Sequence, residues 1–364
     1  MQKIRVKTKP NAYDVIIGAG LLRRAGREVR RLLPAKGSRV FVITSPNVRR
    51  HWGEVLEDSL RKARLPYEIL EMHDGEPAKR LNTVEQLAEW LVDAKADRKS
   101  LIVAFGGGVV GDSAGFLAAV FMRGIPVVQI PTTVVAQVDA SIGGKTGVNL
   151  RAGKNLLGSF HQPKAVLVDP EILSTLDERE FRSGLFESLK CGVIRDRKLF
   201  DFMERNSKKI LARNAKAMQR VIADSIRVKA VVVSSDEKES GLRRILNYGH
   251  TIGHAIEAAT DYTHFLHGEA VAWGMIAAAV IARDVRFCSA ETAERIIAAT
   301  RSYGDLPNVE CGVDEVMSRL IADKKTIGGT VHFVLPQKIG KVKISGDVPA
   351  EIVRNAVESI RNHA

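Results

Sequence analysis

The sequence predicts two domains of different class, an α/β unit with a mainly parallel sheet over residues 1–175 and a mainly α-helical unit over residues 176–364. Three observations carry this. The 364 residues exceed what one hydrophobic core usually organises. Up to Thr175, short β-branched runs alternate with longer amphipathic ones, the pattern of a parallel sheet covered by helices. Beyond Thr175, apolar residues recur at helical spacing, and proline and glycine become sparse over long stretches.

In the first part, the runs at 13–17, 39–43, 67–71, 101–104, 127–130 and 166–168 read as strands. Between them, segments 21–33, 53–63 and 84–94 carry one apolar face each and read as helices. In the second part, 181–194, 215–232, 245–259, 269–285 and 290–300 read as helices, and 332–335 with 341–344 as a late hairpin. There is no internal repeat and no low-complexity linker. With the boundary near residue 175, a ligand is expected in the crevice between an α/β domain and a helical one.

The composition, 45% apolar and 27% charged, is that of a globular chain. Cys191, Cys288 and Cys311 lack CxxC spacing and cannot all pair, which predicts buried thiols in a reducing compartment. The basic N-terminal segment is followed by no apolar run of a secretory signal, and the apolar stretches 109–120 and 270–281 are too short or interrupted to span a bilayer. A cytoplasmic protein with no membrane partner is expected. With 55 basic and 42 acidic residues the formal charge is +13, a field that attracts anions. The basic runs at 23–31 and 208–220 read as solvated helix faces, and no aromatic residues interleave them, which argues against a nucleic-acid partner.

Three constellations carry chemistry. Gly106-Gly107-Gly108 follows a strand and precedes a helical run, where bare amides and the helix dipole favour phosphate oxygens, although the spacing is not GxGxxG. Segment 131–149 reads as a loop after a strand, bringing hydroxyls, Asp139, two glycines and Lys145 within reach of a ligand, with Lys154 and Asn155 just beyond. Four of the nine histidines fall within 250–267. His250 and His254 share one helix face, as do Glu187 and Lys190 on another helix. Imidazoles with one carboxylate and an open position make up a catalytic zinc-type site.

Taken together, segments 106–112, 131–149, 153–155 and 175–190, Asp236-Glu237 with 241–254, and His267-Gly268-Glu269 resemble the 3-dehydroquinate synthases, within the sugar-phosphate cyclases. The resemblance runs from about Gly75 to Asp323-Lys324-Lys325. It implies a Rossmann-like dinucleotide-binding domain and a helical metal-binding domain, NAD, one divalent ion (Zn or Co), a small anionic sugar-phosphate substrate and a homodimer. Position by position, it implies Glu187, His250 and His267 as metal ligands and His254 as a catalytic or supporting histidine. NAD positions fall at Asn47, Glu76, Lys79, Gly107, Gly108, Val109, Val110, Asp112, Thr132, Thr133, Lys145, Lys154 and Thr175. Substrate positions fall at Asp139, Lys145, Asn155, Lys190, Lys229, Arg243 and Asn247, with Arg123 and the Lys324-Lys325 pair at phosphate positions. Ser45, Phe186 and Asp177 depart from the family's usual Asp, small residue and Pro, which touches one adenosine contact and no reacting group.

The implied reaction converts 3-deoxy-D-arabino-heptulosonate 7-phosphate to 3-dehydroquinate and phosphate. It proceeds through transient oxidation at C5, β-elimination, re-reduction, ring opening and aldol closure. A glycerol-type polyol dehydrogenase would need few anion-binding lysines, so Lys145, Lys154, Lys190, Lys229 and Arg243 argue against it. A cyclase acting on sedoheptulose 7-phosphate is disfavoured by Lys229, Asn247 and His254.

Overall fold

The structure, a computed structural model, describes residues 1–9, 12–326 and 330–362, except the side chains of 322–326 and 362. Two compact units make up the chain: Met1–Asp177 with Lys229–Lys238, and Glu178–Val228 with Glu239–Ala364.

The first unit holds strands β1 (Gln2–Lys7), β2 (Ala12–Ile17), β3 (Val40–Thr44), β4 (Tyr67–Glu71), β5 (Leu101–Gly106), β6 (Val127–Pro131), β7 (Lys145–Leu150), β8 (Gly153–Phe160) and β9 (Ala165–Val168). Seven of them form one sheet in the order β1-β2-β9-β6-β5-β3-β4, parallel except for the β1/β2 pair. Every residue of β3 and β5 is buried. Val40, Val42, Leu101, Val103 and Phe105 pack on one face with Leu22, Val29, Leu56 and Leu60. Phe41, Ile43, Ile102 and Ala104 pack on the other with Val84, Leu87, Leu91 and Leu117. Each such Val, Leu, Ile or Phe side chain contributes about 1.5–3 kcal/mol on burial, and burial on both faces explains why these runs show no polar alternation.

β3 has β4 on one side and β5 on the other, so the winding of the sheet reverses between β3 and β5. Their carboxyl ends, with Thr44 in register with Phe105, form a topological switch point, where open α/β sheets bind ligands. The Gly108–Val120 helix starts directly after β5 there.

Two parts of this unit differ from expectation. β1 is an additional edge strand with alternate residues buried. Segment 131–149, read as a loop, contains a helical turn at Ala136–Ala140 and then β7, paired antiparallel with β8. Gly147 and Gly158 face each other in that hairpin, and a Cβ on Gly158 would stand 2.2 Å from the Thr146 carbonyl oxygen. Glycines that look like loop punctuation are here what lets two backbones meet.

The second unit is helical, with Glu178–Ile194, Arg197–Leu211, His250–Ala259, His267–Asp284, Ala290–Arg301, Val313–Thr326 and Ala350–Asn362, plus the hairpin of β10 (Phe333–Lys338) and β11 (Lys341–Ser345). Helix Ala215–Ser235 begins in this unit, and its last turns belong to the first. His267–Asp284 is buried from Gly268 to Ala282, which accounts for a sequence apolar on all sides. The helix expected over 245–259 is broken: Leu242–Asn247 forms a 3-10 turn, Gly249 takes a φ of 81°, and regular helix begins at His250. The basic stretch 208–220 is likewise divided after Leu211, where Arg213 has a φ of 53°. Cys191 and Cys311 are buried free thiols, but Cys288 is only half-buried, contrary to the expectation for all three. No helix among the described residues is long and apolar enough to cross a membrane.

Candidate active site

Glu187 and Lys190 lie one turn apart on the Glu178–Ile194 helix, each 1% exposed. Removing both charges from water is costly unless they are paired, and the Lys190 ammonium does contact Glu187 Oε2. Neither Glu187 oxygen makes a well-directed hydrogen bond. Oε1 instead faces two imidazole nitrogens, His250 Nε2 at 3.6 Å and His267 Nε2 at 3.5 Å.

Local backbone brings these residues together. Gly249, left-handed at φ 81°, turns the chain so that His250 opens a helix, and a Cβ there would stand 2.7 Å from the Val271 carbonyl oxygen. Gly268 lies against Ser183, whose carbonyl oxygen would be 1.9 Å from a Cβ, so the helix bearing His267 starts beside the helix bearing Glu187. His250 Nδ1 donates to the Tyr248 carbonyl at 3.1 Å, which leaves Nε2 bare toward Glu187. His267 Nδ1 faces Glu257 Oε2 at 3.5 Å. His254 completes a triad of imidazoles whose ligating nitrogens all lie within 4.8 Å of one another. Its ring is 5.2 Å from that of His250 and 5.8 Å from that of His267.

The electrostatics follow from burial and charge. Burial opposes ionisation of Glu187, but Lys190 and the two histidines outweigh it and hold the carboxyl well below the usual range. Burial, reinforced by Lys190, keeps His250 neutral. Burial opposes protonation of His267 too, yet Glu187 and Glu257 raise it to about 10. A metal-free imidazolium bridging two carboxylates would be expected to close to roughly 2.7–2.9 Å, shorter than the 3.5 Å on either side of His267. Ligands bound at about 2.0–2.2 Å around a tetrahedral ion stand roughly 3.3–3.6 Å apart. The separations at Glu187 Oε1, an orphaned buried oxygen between two imidazoles, therefore fit a divalent cation.

In the first unit, Lys79 Nζ donates to Asp112 Oδ2 and Asn155 Oδ1, both at 2.5 Å. Burial raises the Asp112 carboxyl, with Lys79 opposing. Asn155 holds a left-handed φ of 56° and donates its N–H to Asn149 Oδ1 at 2.8 Å, while Asn149 Nδ2 reaches Glu76 Oε1 at 2.7 Å. Asn149 was assigned no role from sequence. Gly107, Gly108 and the half-buried Val109 enter the helix after β5, whereas the Val110 side chain is in the core, so its backbone N–H is the group it can offer. Thr132 Oγ1 is buried without a hydrogen-bond partner, as is Thr44 Oγ1 at the end of β3. Asn47 is exposed and accepts from Arg50 at 2.8 Å, and Thr175 accepts from Trp52 Nε1 at 2.8 Å. Thr133 Oγ1 accepts the Ala136 N–H at 3.1 Å.

Lys229 Nζ binds Asp139 through its carboxylate and its carbonyl, both at 2.6 Å. Lys145 and Arg123 are exposed and Lys154 is half-buried. In the second unit Arg243 is 2% exposed, and the exposed Asn247 donates to Glu239 Oε1 at 3.1 Å. The Lys324 and Lys325 side chains lie outside the described residues. Sequence reasoning passed over Glu257, which is 1% exposed on the face of its helix that carries His250.

Residues 69–183 match the 3-dehydroquinate synthase N-terminal family model, and residues 184–326 match the C-terminal one. The chain belongs to the 3-dehydroquinate synthase family. It is 54% identical to a 3-dehydroquinate synthase of Koribacter versatilis and 49% identical to one of Solibacter usitatus, each alignment covering 99% of this chain and 98% and 99% of the relatives. Among solved structures it is similar to a 2-epi-5-epi-valiolone synthase from Streptomyces hygroscopicus with NAD+ and Zn2+ bound (TM-score 0.90, 29% identity, 98% and 99% of the two chains covered). A 2-deoxy-scyllo-inosose synthase complexed with carbaglucose-6-phosphate, NAD+ and Co2+ gives a TM-score of 0.88 at 28% identity, with 99% and 100% covered. A probable glycerol dehydrogenase from Sinorhizobium meliloti, at 17% identity and TM-score 0.65, shares the fold alone.

Proposed function

We infer that this chain is a 3-dehydroquinate synthase that converts 3-deoxy-D-arabino-heptulosonate 7-phosphate to 3-dehydroquinate and phosphate, using NAD and one divalent ion, Zn or Co. The observation that carries the reading is Glu187 Oε1, buried and flanked by His250 and His267 at 3.6 and 3.5 Å, in a chain of this family. When bound, NAD would accept and return one hydride at C5 while the ion polarises the substrate hydroxyls.

Glu187, His250 and His267 would hold the ion. Glu76, Lys79, Gly107, Gly108, Asp112, Thr132 and Thr133 would hold NAD, with Asn47, Val109, Val110, Lys145, Lys154 and Thr175 contributing. Phosphate oxygens suit the helix start after β5, where orphan N–H groups and the dipole point outward. Lys145, Lys190, Lys229, Arg243, Asp139, Asn155 and Asn247 would orient the substrate and balance its carboxylate, and Arg123 with Lys324 or Lys325 would take its phosphate. Holding a flexible anion in reactive geometry removes much of the entropic part of the barrier. Lys190 supports this role because it is already desolvated beside Glu187, where each charge counts more than in water. His254 would handle a proton during phosphate departure. A cytoplasmic homodimer acting on a sugar phosphate completes the reading, on the strength of family resemblance.

The test is to incubate purified protein with the heptulosonate phosphate, substoichiometric NAD and Zn2+ or Co2+. Equal release of phosphate and 3-dehydroquinate without net NADH is expected. NADH accumulating with glycerol, or no phosphate release, would overturn the reading.

A further inference from the structure

We propose that Glu257 is a positioning residue that fixes His267 for metal binding, a role that rests on the metal reading above and extends it. Three observations lead there. Glu257 is 1% exposed, and a carboxylate taken that far from water needs a polar partner. Its Oε2 lies 3.5 Å from His267 Nδ1, on the side of the ring opposite the Nε2 that faces Glu187. It sits seven residues after His250, two turns along the His250–Ala259 helix and on the same face, so one rigid element supplies both an imidazole and the support for another.

An acceptor at Nδ1 selects the tautomer with a bare Nε2 and stops the ring from turning about its Cβ–Cγ bond. His250 obtains the same two effects from a backbone carbonyl, that of Tyr248 at 3.1 Å. His267 opens its own helix and Glu257 Oε2 is the acceptor that faces its Nδ1, so the side chain of Glu257 does for His267 what main chain does for His250.

The experiment titrates metal-stripped wild type, Glu257→Ala, Glu257→Gln and His267→Ala with Zn2+ against a chromophoric chelator, and records the visible spectrum of each with Co2+ alone. NAD affinity of each variant serves as the control for folding. Glu257→Ala is expected to lose about 10–100-fold in Zn2+ affinity and to show a changed Co2+ spectrum. Glu257→Gln, whose amide oxygen still accepts from Nδ1, is expected to stay within a few-fold of wild type. Wild-type Zn2+ affinity and an unchanged Co2+ spectrum in Glu257→Ala would overturn the proposal alone. Undiminished Zn2+ binding in His267→Ala would take down the metal reading, and this proposal with it.

Discussion

Arg179 grips Glu269 through two parallel hydrogen bonds, Nε to Oε1 at 2.7 Å and Nη2 to Oε2 at 2.8 Å, and the same Oε2 accepts the Leu266 N–H at 2.8 Å. Glu269 thus satisfies an otherwise orphaned amide at the start of the helix whose first residue is His267. Glu269→Ala removes the cap and the fork together and is expected to lower unfolding free energy by roughly 1–3 kcal/mol. Glu269→Gln should cost less, since an amide oxygen still accepts from Leu266. Urea unfolding of the two variants checks the order, and equal stability of all three proteins would contradict it.

Gly249 should not tolerate a side chain. At φ 81°, with the Val271 carbonyl 2.7 Å from the Cβ position, Gly249→Ala adds left-handed strain to a clash with backbone. The strain alone is about 1–3 kcal/mol, and relief requires moving the start of the helix that carries His250. Lower thermal stability together with weaker Zn2+ binding is expected in calorimetric melts and chelator titrations.

Much of this was legible in the sequence, for identifiable reasons. β3 and β5 appear as unbroken apolar runs because they are buried on both faces, and the glycines after β5 mark the helix start at the switch point. His250, His254 and His267 stand out because histidine is scarce elsewhere. The β7/β8 hairpin did not announce itself, since Gly147 and Gly158 serve close backbone approach, a contact between residues eleven apart that no local pattern encodes. Glu257 was invisible for a related reason. A glutamate on an amphipathic helix reads as solvated surface until the fold shows His267 beside it.

Asn149 joins Glu76 to Asn155 and donates its own N–H to the Lys79 carbonyl at 2.8 Å, so two residues assigned to NAD, Glu76 and Lys79, share one support with Asn155, assigned to the substrate. Asn149→Ala removes both side-chain bonds and leaves the Asn155 N–H without that acceptor. Weaker NAD binding by roughly tenfold is expected, with Zn2+ affinity unchanged. Calorimetric titration with NAD checks this, and unaltered affinity would show that the support is dispensable.

Stability should fall on mild acidification, in part through His161. Its Nε2–H donates to the Ile125 carbonyl at 2.9 Å, and burial lowers its pKa below the ordinary 6.5, with nearby Lys164 acting in the same direction. The unfolded chain therefore takes up this proton first. The contribution of the neutral ring is fully present above about pH 6.5 and shrinks as pH falls through the unfolded value toward the folded one. His161→Gln should show a shallower loss of stability below pH 6.5 than wild type in parallel urea titrations. Identical slopes would place the acid sensitivity elsewhere.

His254 presents a choice that geometry alone leaves balanced, because its imidazole sits with those of His250 and His267 in one 4.8 Å cluster while Glu187 Oε1 lies close to the same two rings. Two features favour Glu187 as the third ligand. Its oxygen is buried and lacks a well-directed hydrogen bond, whereas His254 is exposed, as a group that exchanges protons with substrate needs to be. His254→Ala should then keep Zn2+ affinity to less than about tenfold, 1.4 kcal/mol. Phosphate release should slow by roughly 100-fold or more, the usual contribution of a placed acid or base. Glu187→Gln should do the reverse, losing the metal first and activity as a consequence. Chelator titration beside single-turnover phosphate release separates the two, and a His254→Ala enzyme that loses Zn2+ but regains full turnover at saturating metal would make His254 the ligand.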